Sequence, residues 1–267
     1  MAHKDSSTAI VFSPVRVKTL SAAVALAAVV LKSRGVTGAA PAVVRFTERD
    51  YHLDIYNPES SAAFALAGTT VHAVTATPDS SRIESSSPAG FAFVSHEDEL
   101  RWRNSGQPTL PKASRKPMVA VIASGAFNFM PQGSRLTYEE VRRLPASPSM
   151  IEMIVIAHAH GYTQTPEGAA LLKQYGVLLA TAPLSSKVRA AMFDVVARLP
   201  GLRVCAAPST SSNLISVCLA GGGNEVDLTI SLRTGAVRSV REYLIAPAGY
   251  ADLQSGTLLE AETFSHG

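Results

Sequence analysis

The spacing of hydrophobic and polar positions along this chain changes twice. From Val43 to about Met130 apolar residues recur mostly at alternate positions, as in a strand with one buried face. Val43–Tyr56, Ala62–Thr77, Phe91–Val94 and Pro117–Met130 read as extended segments. Turn chemistry separates them at Asn57-Pro58, at Pro78 to Ser81 and at Ser85 to Gly90. One short helix interrupts the series, because Ser95 can cap a segment opened by Glu97, Asp98 and Glu99 and ending before Gly106.

After Gly133 the period becomes helical. Thr137 and Glu140 form a capping box for a short helix stopped by Pro145, and Pro148 to His160 suits either a helix or a strand. Glu167–Ala180 places Leu171, Leu172, Tyr175, Leu178 and Leu179 on one face. Ser185–Leu199 does the same with Val188, Met192, Val195, Val196 and Leu199, a face expected to dock on the sheet. Four strands at hairpin spacing follow: Leu202–Ala207, Asn213–Ala220, Glu225–Leu232 and Val237–Ala246. Strands and helices are segregated along the chain, which predicts an α+β fold: a curved antiparallel sheet with helices on one face. Bacterial lipoprotein-carrier half barrels offer an analogy for that architecture.

Composition adds an address. The chain has 267 residues and a net charge of +3, but residues 1–42 hold five basic residues against one acidic residue. The remainder therefore keeps 19 basic and 20 acidic residues, with no basic stripe to neutralise phosphates, and nucleic acid is excluded as a partner. The basic excess flanks Thr19–Leu31, thirteen uncharged residues bracketed by Lys18 and Lys32. As a helix that run spans roughly 20 Å, the length of a signal-peptide core rather than of a full membrane span. Residues 1–42 are thus expected to target or tether the chain to the membrane, and residues 43–267 to form an exported domain. Ala40-Pro41-Ala42 offers a cleavage site, and a marginal single-pass anchor is the alternative.

Candidate chemistry is sparse. His158 and His160 would share a face only on a strand and lack a third ligand nearby, so no metal is assigned. Neither G-x-S-x-G nor S-x-x-K occurs, and Ser124-Gly125 reads as a strand broken by a bulge. Gly221 to Asn224 precedes a strand, not the helix a phosphate cradle needs, and no cofactor is expected. The acids Glu97, Asp98, Glu99, Glu139 and Glu140 sit at helix starts, where capping explains them. Phe91, Phe93, Trp102, Phe127 and Phe129 either pack in the core or line an apolar groove. Pairing Leu202–Ala207 with Asn213–Ala220 about a centre between Ser211 and Ser212 sets Cys205 opposite Cys218, close enough for a disulfide.

The order of these elements resembles a known family. LTYEEVRRLPASPSMIEMI, then VRAAMFDVVARLPGLRV, then SLRTGAVRSVREYLI, with SHEDELRWRNSGQPTL around Trp102, is similar to actinobacterial single-pass membrane proteins with an exported C-terminal domain and no assigned activity. The resemblance runs from about Val43 to Ala246. Members are often encoded near extracytoplasmic-function sigma factors, which implies an envelope-associated sensing or accessory role. A non-enzymatic extracytoplasmic domain binding a small apolar ligand or an envelope protein is the leading expectation. A hydrolase with a convergent Ser/His or carboxylate site is the alternative.

Overall fold

The computed structural model describes residues 39–56, 63–87, 90–110, 112, 114–123, 127–130, 135–159, 168–206, 213–245, 253 and 255–266. The apolar run 19–31, Ser124-Gly125 and His160 lie outside the described residues. Among those described, no helix is long and apolar enough to cross a membrane.

The first half holds β1 (Val44–Tyr56), β2 (Phe64–Ala76), β3 (Ser80–Ser87), β4 (Phe91–Phe93), α1 (His96–Asn104) and β5 (Ser114–Ala123). Helices α2 (Tyr138–Arg142), α3 (Pro148–Ala159), α4 (Gly168–Thr181) and α5 (Ser186–Val196) follow. The chain closes with β6 (Arg203–Ala206), β7 (Leu214–Gly221), β8 (Asn224–Ser231), β9 (Val237–Leu244) and β10 (Leu258–His266). The ten strands among the described residues form one open antiparallel sheet in the order β5-β3-β2-β1-β10-β9-β8-β7-β6, with β4 continuing the line of β3 along β2. The fold is α+β, with helices packed on the sheet. The last strand returns to the middle, between β1 and β9, and joins the two halves.

Local chemistry accounts for the helix starts. Ser95, Thr137 and Ser185 each accept a bond from the backbone N–H three residues on, and Glu140 completes the box at Thr137. Pro148–Ala159 resolves as helix. Helix α4 lies on β7, β8 and β9 and is buried almost all round, because α3 and α5 cover its other side. Its Gly176 permits that approach: a Cβ there would stand 2.8 Å from both Leu228 and Val240 side chains.

Several expectations are corrected. Helix α5 packs on α3 and α4 rather than on the sheet, its apolar face closing a second layer. Ser80–Ser87 is a full strand, although its Ser-rich ends read as turns. Leu258–His266 is a strand that the alternation missed, because its inward positions include Glu260 and Glu262. The edge strand β5 starts earlier than expected and ends at Ala123; its Pro117 is tolerated where one side of the ladder is unpaired. The β6–β7 register sets Arg203, not Cys205, opposite Cys218. Cys205 is the extra residue of a bulge between Val204 and Ala206, outside the paired register, and is bonded to Cys218 with Cα atoms 5.9 Å apart.

Candidate functional site

Alternation and register together define what the helix-facing side of the sheet carries at its centre. On β1, Val44, Phe46, Glu48, Asp50, His52, Asp54 and Tyr56 share one face. Across the ladder, Glu48 is opposite His72, and His72 is opposite Ser85. Asp50 is flanked by Thr70 and Glu262, and His52 by Gly68 and Glu260; Glu260 in turn pairs with Glu242. A polar bay therefore crosses the sheet between two apolar ends.

One end is aromatic: Tyr56 stacks on Phe64, Phe64 meets Phe93 at 6.2 Å, and Phe93 meets Trp102 at 5.4 Å. Phe91 lies edge-on to His52 at 5.1 Å. At the other end Phe127 and Phe129 meet at 4.8 Å, and Phe129 packs on Tyr138. The five aromatic residues singled out from the sequence thus divide into Phe91, Phe93 and Trp102 at one end and Phe127 and Phe129 at the other. Asn128 fixes the second pair. Its side chain donates to the Met130 carbonyl at 2.7 Å and accepts from the Met130 and Leu136 amides at 3.0 and 2.8 Å.

Between these ends lies a cavity of about 260 Å³ lined by Phe46, Glu48, Asp50, His72, Phe127, Asn128, Phe129, Val177, Thr181, Glu260 and Glu262. The only cation that α4 sends toward it is Lys173. That side chain is buried and donates to Glu242 at 2.8 Å and to Glu260. Burial opposes the Lys173 charge, but Glu260 and Glu242 outweigh it and leave its pKa raised. Glu242 also accepts from Asn224 at 2.6 Å.

The remaining acids are not so matched. Glu262 is only 6% exposed, and its Oε2 has no hydrogen-bond partner. Burial, followed by repulsion from Glu48 and Glu260, holds its pKa well above the usual carboxylate range. Burial, with Asp50 and Glu260 adding to it, pushes Glu48 up to about 7. Asp50 is raised by burial and by Glu260, against the opposing pull of His52, His72 and Lys173. His72 is lowered, chiefly by burial, and its Nδ1 shares a 2.7 Å hydrogen bond with the Ser85 hydroxyl.

None of these groups stood out in the sequence. Their trace is a period-two run of polar residues, Glu48, Asp50, His52 and Asp54, matched by Glu260 and Glu262 near the C-terminus. His158 ends α3, apart from the bay's lining. Among the described residues, the one group of three metal-ligating atoms within 4.8 Å of one another is Cys205, Cys218 and Glu225. Its two sulfurs are bonded to each other, so it is not a metal site.

No protein-family model matches the chain, and no curated protein matches it. Among solved structures, GphF dehydratase 1 superposes with a TM-score of 0.12 and 13% identity over 93% of this chain and 81% of that one. Its isomerase-inactive variant gives 0.12 and 12% over 94% and 82%. Superpositions at that level carry no argument about fold or chemistry.

Proposed function

We propose that this protein is a non-enzymatic, extracytoplasmic binding domain at the cell envelope, sensing or accessory in role, held or delivered by its N-terminal segment. The central bay is its ligand site. The observation that carries this reading is Glu262: a carboxyl group 6% exposed, with an unpartnered oxygen, on the wall of a cavity that three phenylalanines also line. A buried polar atom left without a partner costs stability, so its retention beside an open cavity points to an occupant. The Cys205–Cys218 bond supports an oxidising compartment, in line with the basic-flanked apolar run at residues 19–31. The family resemblance supports the envelope setting.

The test has two arms. Mass spectrometry of small molecules released from the purified protein should find a species that Val177→Trp, which fills the cavity, removes. A phosphatase fused to the C-terminus of the full chain should be active only with residues 1–42 present. Equal release from both proteins, or activity independent of the segment, overturns the corresponding half.

A second reading, hydrolysis, is favoured by the Ser85–His72 bond, with Glu48 opposite His72. A neutral imidazole bonded to a hydroxyl is the start of a nucleophilic site. Against it, Ser85 lies within a strand flanked by β2 and β5 rather than on the tight turn that exposes a hydrolase nucleophile. Labelling by a fluorophosphonate, lost in Ser85→Ala, would establish hydrolysis; the binding reading expects no labelling.

A further inference from the structure

We propose that the bay's ligand is a small organic cation, an amine whose ammonium group sits against Glu262 and Glu48 and whose apolar part lies on Phe127 and Phe129. This rests on the reading of the bay as a binding site and names the class of molecule it takes.

The first argument is charge. Five carboxylates face the bay from three strands: Glu48 and Asp50 from β1, Glu242 from β9, Glu260 and Glu262 from β10. Lys173 of α4 engages Glu242 and Glu260. His72 of β2 is held toward its neutral form by burial, and its Nδ1 is bonded to Ser85. His52 of β1 stands between Asp50 at 3.8 Å and Asp54 at 3.6 Å, so it is shared with an acid at the bay's edge. Glu48 and Glu262 thus face the cavity with no ion pair to a basic side chain among the described residues; Lys173 is near enough to favour the Glu262 charge without pairing with it, and Glu262 Oε2 has no hydrogen-bond partner. An anion would add to their repulsion. A neutral ligand could accept or donate hydrogen bonds but would leave both carboxyls held toward their protonated forms, whereas a cation favours their ionisation.

Geometry then separates an organic cation from a metal ion. A metal draws its ligands to within about 2.0–2.6 Å of one centre, which brings them close to one another. No three of the bay's described acidic and histidine residues bring one ligand atom each within 4.8 Å of one another. An ammonium group does not need three: one or two carboxyl acceptors at about 2.7–2.9 Å hold it, with water on its remaining N–H. The volume agrees: about 260 Å³, at roughly 30 Å³ per water, admits about nine heavy atoms. Aromatic rings at one wall suit both a cation and its hydrocarbon.

Seating a cation beside Glu48 and Glu262 favours their ionised forms, so binding should release protons and tighten as pH rises. Calorimetric titration of the full chain tests this with phenethylamine and putrescine as cations, 2-phenylethanol as a neutral match, phenylacetate as an anion, and calcium chloride. At least one amine should bind, roughly tenfold more tightly per pH unit for each proton released between pH 5 and 7, with heats that depend on the buffer's ionisation enthalpy. Glu262→Gln should weaken amine binding at least tenfold without lowering the melting temperature. Glu48→Gln should flatten the pH dependence. Preference for 2-phenylethanol, phenylacetate or calcium, or an unchanged Glu262→Gln, overturns the cation class and leaves the bay a binding site. Silence from both amines also overturns it; if no Val177→Trp-sensitive molecule is released either, the binding reading falls with it.

Discussion

Glu48→Gln should make the protein more stable at pH 8 and leave it nearly unchanged at pH 4. Glu48 is half-buried, with Asp50 two residues along the same strand face and Glu260 nearby, and its pKa stands at about 7 against an ordinary 4.5. Between those values the folded chain binds a proton that the unfolded chain releases, so stability falls as pH rises through the window and is lowest above it. The full shift corresponds to roughly 3 kcal/mol at 1.36 kcal/mol per unit, and water reaching the bay reduces the expected effect to about 1–3 kcal/mol. Asp50 and Glu262, also raised, act in the same sense. His72 acts in the opposite one, because its lowered pKa makes folding less favourable as pH falls below about 6.5. The difference between the parent and Glu48→Gln largely cancels these shared contributions. Urea unfolding followed by far-ultraviolet circular dichroism at pH 4, 6 and 8 measures it. A difference that is constant with pH, or a variant less stable than the parent at pH 8, refutes the electrostatic account of the bay.

Lys173→Met removes the cation from Glu242 and Glu260 and should cost about 2–4 kcal/mol, most of it recovered when both acids are also changed to Gln; urea midpoints decide this. Gly176→Ala drives a methyl to 2.8 Å from Leu228 and Val240 and should cost about 1–3 kcal/mol by thermal unfolding, while Gly106→Ala, in open space but at φ +89°, tests backbone strain alone. The Cys205–Cys218 bond closes a loop of sequence separation 13, so its reduction should lower stability by roughly 3 kcal/mol or less; two reactive thiols in denatured, unreduced protein would contradict the bond.

What the sequence disclosed follows from which side chains face inward. Strands β7 and β8 were legible because Ile215, Val217, Leu219, Val226, Leu228 and Ile230 alternate cleanly and are all buried. Helices α4 and α5 were legible from apolar stripes, but the order of layers was not. A stripe announces burial without naming the partner, and α5 found α3 and α4 where the sheet was expected. The strands that escaped are those whose inward positions are polar. In β3 these are Ser81 and Ser85 around a single Ile83, and in β10 they include Glu260 and Glu262. Period-two reasoning assigns such residues to solvent, so it either drops the strand or inverts its face.

The same inversion separates structure from function in the bay. If inward carboxylates served only to orient strands, each would be expected to meet a cation or a donor, as Glu242 does with Lys173 and Asn224, and Glu260 with Lys173. Apolar residues of similar size would satisfy the fold at least as well, since a buried ion pair is seldom worth more than the packing it replaces. Glu262 and Glu48 do not fit that pattern: both face the cavity, both have pKa values raised by burial, and Glu262 keeps an oxygen without a partner. Residues that break the local rules of a fold and lower its stability are expected where a site is preorganised for something the chain itself does not supply. The positions that hid β10 from period-two reasoning are therefore the positions that mark the site.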